Sequence, residues 1–175
     1  HIVDAYIRGG HKVAVIDNLS TGSRTNGHRR AKFYKADIRD LKTIEGIVRR
    51  ERPNVINHHA ALIQVIESVK DPLPTIETNV LGTINLLVAF GKYGAKSTSK
   101  KFIFASTGGA LYGIKPKIPA KENTRLEPPA PYGLSKLLAE ESIQFYARLY
   151  RFAYLIFRYS NVYGPRQKPK GEAGV

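Results

Sequence analysis

The chain has 175 residues, 42% of them hydrophobic, enough for one globular domain with a real core. It contains no cysteine, which excludes disulfides, thiolate zinc sites and cysteine nucleophiles. Its formal net charge of +14 admits polyanionic ligands, but the basic residues fall in separate loops with no aromatic platform between them, so neither nucleic acid nor a membrane is expected as a partner. The longest apolar stretches, such as 86–90, are too short to cross a bilayer, and a cytoplasmic location is expected. The sequence opens on His1 and holds no methionine, so a fragment is expected.

From the first residue onward, helix-like and strand-like segments alternate. Residues 1–7 place Ile2, Val3, Tyr6 and Ile7 at helical spacing, and Gly9-Gly10 closes the segment. KVAVID at 12–17 is the continuous apolar run of a parallel strand covered on both faces. A second strand is predicted at 32–37. Leu41, Ile44, Ile47 and Val48 then mark an amphipathic helix over 41–50. A short strand follows at 54–57, and a long helix over about 75–93 stops at Gly94. KFIFAS at 101–106 is a strand, 133–150 a helix and 153–158 a last strand. Strands separated by helices give an α/β protein with a Rossmann-type doubly wound parallel sheet. In such a sheet the opening helix should follow a central strand and a glycine-rich turn, so the sheet is expected to be incomplete, with its first strand missing.

Three places carry chemistry. Asp17 closes its strand, where a carboxylate can bind both hydroxyls of an adenosine ribose and repel a 2′-phosphate, favouring NAD over NADP. An Asp-Asn pair is equally a good turn, and Asp37 at the next strand end has the same ambiguity. Ser106-Thr107-Gly108-Gly109 places a small hydroxyl and open backbone at the end of the 101–106 strand, or forms an ordinary turn. Tyr132 and Lys136 lie four apart at the start of a helix, about 6 Å along its axis. A neighbouring ammonium favours the phenolate of a tyrosine whose ordinary pKa is about 10, making it a usable base. That spacing also occurs by chance in many helices. The order of the three sites, acidic strand tip, hydroxyl strand end, Tyr-Lys helix, strengthens each. His58 and His59 are adjacent on a strand and point apart, so they read as structural and no metal site is expected.

DNLSTG at 17–22, FIFASTGGALYG at 102–113, PPAPYGLSK at 128–136 and FRYSNVYGPRQKPKGEAGV at 157–175 resemble the successive motifs of the UDP-glucose 4-epimerases, NAD-dependent enzymes of the extended short-chain dehydrogenase/reductase family. The resemblance covers essentially the whole chain. It implies a partial NAD-binding Rossmann domain over 1–165, the start of a substrate-binding region at 166–175, and a homodimer when full length. By motif, Asp17 and Asn18 would hold the adenosine ribose, Asp37 and Ile38 the adenine, and Ala60, Ala61 and Leu62 the diphosphate and nicotinamide side. Asn79, within TNVLGT, would join the cofactor network, and Tyr159 would meet the nicotinamide. Tyr132 would be the base, Lys136 its electrostatic partner and nicotinamide-ribose ligand, and Thr107 the hydrogen-bonding hydroxyl, with Ser106 as the alternative. Asn161 would hold the diphosphate of a nucleotide-sugar substrate. The related 4,6-dehydratases carry acidic residues where Gly108 and Gly109 stand, so the resemblance favours epimerisation. Another sugar-nucleotide enzyme of the family, or a non-catalytic NAD sensor, is the alternative.

Overall fold

A computed structural model describes residues 1–114 and 118–167. Helix α1 (Ile2–Arg8) leads into β1 (Ala14–Asp17), β2 (Lys32–Lys35), α2 (Leu41–Glu51) and β3 (Val55–His58). Short helices α3 (Val65–Lys70) and α4 (Pro72–Ile76) precede α5 (Gly82–Tyr93), then come β4 (Lys101–Thr107), α6 (Pro131–Tyr150) and β5 (Ala153–Tyr159). All strand pairs are parallel, in two ladders ordered β1-β2 and β3-β4-β5. The architecture is the mixed α/β, doubly wound kind expected. Among the described residues no ladder joins β1 to β3. One core nonetheless serves both ladders, because Ile16 of β1 and Ile56 of β3 pack on the same cluster, centred on Phe90, Phe102 and Phe104.

Local sequence explains most element ends. Asp40 caps α2 by accepting from the Thr43 amide at 3.1 Å, and Ile44, Ile47 and Val48 turn inward. Gly10 sits at φ 81, a left-handed turn that a side chain disfavours. Gly94 ends α5 for a different reason: its φ is −59, but a Cβ there would lie 2.7 Å from the Phe90 carbonyl oxygen. Two expectations need correction. β1 is not the continuously buried strand expected: Val15 and Ile16 are partly buried while Ala14 and Asp17 are exposed. The helix expected at 75–93 is part of a 22-residue run, Pro72–Tyr93, long and apolar enough to cross a bilayer, which the sequence reading missed. Half of that run's most apolar window is buried, with Leu86, Leu87, Ala89 and Phe90 against the core, so the fold uses its apolarity.

α3 was not expected at all. Its apolar residues Ile66 and Val69 face outward while Ser68 is buried, so its pattern carries no inward apolar stripe. Between α4 and α5 the helix widens for one turn, Glu77–Leu81, a local distortion of the kind frequent at functional sites. Asn79 lies in it.

Candidate active site

At the tips of β1 and β2 the acidic pair separates into two roles. Asp17 Oδ1 accepts from the Leu19 amide at 2.7 Å, turning the chain through a left-handed Leu19 at φ 59, while Oδ2 has no protein donor among the described residues. Asp17 also lines a cleft with His1, Asp4, Leu19, Arg24 and Phe33. Asp37 is fully engaged. Arg39 binds it through the side chain at 2.8 and 3.0 Å and through the amide at 2.9 Å, and Asn18 Nδ2 adds a contact at 3.2 Å. Arg39 beside it holds the Asp37 carboxyl far below the ordinary carboxylate range. Asn18 is thereby a bridge between two strand tips, its Oδ1 taken by the Ser20 amide at 3.0 Å. Ile38 is buried in the core, and its carbonyl accepts from Asn85, so its side chain is not at the crevice.

Beyond β3, Ala60, Ala61 and Leu62 form an exit loop fastened by Asn79. The Asn79 amide accepts from Leu62 N at 2.8 Å and donates to Leu62 O and to Ser135 Oγ, both at 2.9 Å. One buried side chain thus joins the exit loop to α6. His58 is buried, bonded to Thr83 Oγ1 at 2.9 Å, and burial pushes its pKa down to about 3, so it stays neutral. His59 points the other way and stacks on Tyr159, ring centroids 6.3 Å apart. No metal-binding cluster occurs among the described residues.

The third part is where α6 meets β4. Pro131 opens the helix, Ser68 accepts from the Tyr132 amide at 3.1 Å, and Ser135 folds back on the Tyr132 carbonyl at 2.7 Å. Gly133 permits the closest approach: a Cβ there would fall 2.2 Å from the Ala110 carbonyl oxygen. Lys136 is 3% exposed. Its Nζ donates to the Ala105 carbonyl at 2.8 Å and lies 4.8 Å above the Phe104 ring. Burial lowers its pKa to about 8, partly offset by the charge of Glu140. An ammonium has three donors, and only one protein acceptor meets this one among the described residues. Thr107 ends β4 opposite Tyr159 of β5, and its hydroxyl has no partner among the described residues. The Gly108 amide donates to the Tyr159 carbonyl at 2.6 Å. Asn161 is exposed in the loop after β5.

Thr107 and Tyr159 lie side by side at the carboxyl ends of β4 and β5, where open α/β sheets bind ligands. Lys136 reaches Ala105, two residues before Thr107, and Tyr132 stands one turn before Lys136 on α6. Ser106 differs from Thr107 in that its hydroxyl proton is taken: it is buried and donates to Glu140 Oε1 at 2.5 Å. The sequence reading overlooked Glu140, although it extends the Tyr132, Lys136 spacing by one more four-residue step. It also overlooked Arg158, Ser68 and Ser135. Residues 168–175, most of the segment read as the start of a substrate region, lie outside the described residues.

The model of the NAD dependent epimerase/dehydratase family matches residues 1–175, and the chain belongs to that family. It is 47% identical over its whole length to a putative UDP-glucose 4-epimerase of Methanocaldococcus jannaschii, covering 56% of that protein. It is 37% identical to the UDP-glucose 4-epimerase of Mycolicibacterium smegmatis, covering 99% of this chain and 56% of the relative. Among solved structures, the Thermotoga maritima UDP-glucose 4-epimerase with UDP-glucose superposes with a TM-score of 0.93 at 44% identity, over 99% of this chain and 55% of that one. The Thermus thermophilus UDP-glucose 4-epimerase complex with NAD gives 0.92 at 43% identity, over 99% and 55%. The chain spans about half the length of the relatives it matches.

The buried lysine predicts a pH signature. Unfolded lysine titrates near about 10.4, and folded Lys136 near about 8. The folded state disfavours the charge, so the penalty is full below about pH 8 and fades as pH rises toward about 10.4. Lys136→Met should raise the unfolding free energy at pH 7 by about 1–3 kcal/mol and flatten that rise. Urea unfolding of both proteins at pH 7 and pH 10 checks it; a variant less stable at pH 7 would contradict it.

Proposed function

We propose that the protein is an NAD-dependent isomerase that inverts C4 of a UDP-hexose, interconverting UDP-glucose and UDP-galactose through a 4-keto sugar. The observation that carries this reading is a buried Lys136, four residues after Tyr132 on α6, in a chain of this family. Its ammonium meets one protein acceptor among the described residues, the Ala105 carbonyl near the end of the strand that closes on Thr107. Relatives named UDP-glucose 4-epimerase, and solved neighbours with UDP-glucose and with NAD, support it. The activity is proposed for the whole protein.

The residues present suit the cofactor. Asp17 keeps one carboxylate oxygen free of protein donors at the β1 tip, which fits an adenosine ribose and disfavours a 2′-phosphate. Lys136 keeps donors unmet in a buried place, which fits the hydroxyls of a second ribose. Tyr159, stacked on His59, offers an aromatic wall for a nicotinamide. When bound, NAD would take the C4 hydride and return it.

The chain's own part is proton handling and orientation. Tyr132, held as phenolate by the Lys136 ammonium, removes the proton of the 4-hydroxyl and later gives it back. Thr107 donates to the sugar oxygen and fixes its direction. Asn161 holds the nucleotide-sugar diphosphate. The ketose turns in the pocket between the two transfers, so the hydride would return to the opposite face of C4 while Tyr132 returns the proton to the 4-oxygen. Gly108 and Gly109, lacking carboxylates, leave no acid to drive elimination.

For assembly, the outer face of α6 suits a second copy of the chain. Leu134, Leu138, Phe145 and Leu149 form one exposed stripe.

Two outcomes are expected. In the full-length protein, Tyr132→Phe lowers turnover of UDP-galactose by about 10²–10⁴-fold or more while NAD content, read after denaturation, stays near native and NADP fails to replace it. Wild-type turnover in the variant would remove Tyr132 from the chemistry. Sedimentation velocity should give a dimer for the native protein and a monomer for Phe145→Asp; a native monomer would rule out the α6 pairing.

A further inference from the structure

The inner face of α6 does not stop at the tyrosine and lysine. Tyr132, Lys136 and Glu140 recur at four-residue steps, so all three lie along one line of the helix. Glu140 is 2% exposed, deeper than any other carboxylate among the described residues. It accepts from Ser106 Oγ at 2.5 Å, from Arg158 Nη2 at 2.7 Å and from Arg158 Nε at 3.1 and 3.2 Å. Arg158 continues outward, donating to the Tyr112 hydroxyl and the Glu122 carbonyl, both at 3.1 Å. One carboxylate therefore ties α6 to β4 through Ser106, to β5 through Arg158, and by way of Arg158 to the segment that runs from β4 back to α6.

We infer that Glu140 is a positioning residue of the proposed reaction, acting through Lys136: it anchors the helix that carries the base and supplies the negative charge that keeps the buried Lys136 ammonium in place. The proposal rests on the reading of Tyr132 and Lys136 given above. Its physical basis is simple. A lysine buried this deeply tends to shed its proton, because desolvation disfavours the charged form. Glu140, one turn further along α6, opposes that effect. Its charge raises the Lys136 pKa against the lowering by burial, so most of the ammonium survives at neutral pH. The other titratable groups beside Lys136 are Tyr132 on α6, His58 at the end of β3 and His59 just beyond it, while Arg158 of β5 reaches the site through Glu140. His58 stays neutral, so it offers no substitute charge. Removing the Glu140 charge leaves Arg158 without its buried carboxylate partner and Lys136 without that opposing charge.

The direct test is the titration of Lys136 itself, followed by the ¹³C shift of its ε-carbon in selectively labelled full-length protein. Glu140→Gln keeps the size and one acceptor but removes the charge; Glu140→Asp keeps the charge. We expect Glu140→Gln to lower the Lys136 pKa by one unit or more, with about tenfold slower turnover at pH 7 and unchanged NAD content, and Glu140→Asp to restore most of both. A lysine that titrates as in the native protein in Glu140→Gln, with near-ultraviolet circular dichroism intact, overturns the inference. Loss of the folded spectrum in Glu140→Gln alongside a native titration in Glu140→Asp upholds the anchoring role. A lowered lysine pKa with native turnover upholds the link between Glu140 and Lys136 but overturns the role given to Lys136 in the chemistry.

Discussion

The burial of charge on the inner face of α6 is the constraint that the rest of the site obeys. Lys136 and Glu140 both lie nearly out of solvent, held by the Ala105 carbonyl, Ser106 and Arg158. A buried ion costs several kcal/mol unless its hydrogen bonds are met, so these partners have to be in register before the helix can dock. Register is supplied by the parallel pairing of β4 with β5, which sets Ser106 opposite Arg158 and Thr107 opposite Tyr159. The same ladder that satisfies the buried charges thus places the hydroxyl and the aromatic wall of the site. Stability and chemistry share one set of contacts here, with Lys136 alone left short of acceptors.

A second fastening works at the other end of the helix. Asn79 reaches from its widened turn to Leu62 and to Ser135, and Ser68 holds the Tyr132 amide. Together they set the first turn of α6 against the exit loop of β3. Gly133 makes that approach possible, since any side chain would collide with the Ala110 carbonyl. The backbone of the tyrosine is consequently positioned by small hydroxyls on both sides of its peptide, Ser68 at the amide and Ser135 at the carbonyl.

Much of this was legible in the sequence because it follows short-range rules. The strands at 101–106 and 153–158, the amphipathic 41–50 helix and the Tyr132–Lys136 spacing all sit within one residue or a few of where the structure has them. What was not legible depends on long-range partners. Ser106 and Thr107 are neighbours with the same chemistry, and only the presence of Glu140, 34 residues on, decides that Ser106 turns inward. Asp17 and Asp37 look alike at their strand ends, yet Arg39 occupies one and leaves the other open. α3 escaped because its buried residue is a serine and its apolar ones are outside. The expected coverage of β1 failed because a run of apolar residues states what a strand could bury, not which neighbours it has.

The central claim is that the protein inverts C4 by removing and restoring the same hydrogen, with Tyr132 handling only the hydroxyl proton. Incubating the full-length protein with UDP-galactose deuterated at C4, in ordinary water, and reading the UDP-glucose product by NMR tests this most directly. The account predicts UDP-glucose that keeps its deuterium at C4. UDP-glucose carrying solvent hydrogen at C4, or no conversion at all by protein that holds NAD, would contradict it.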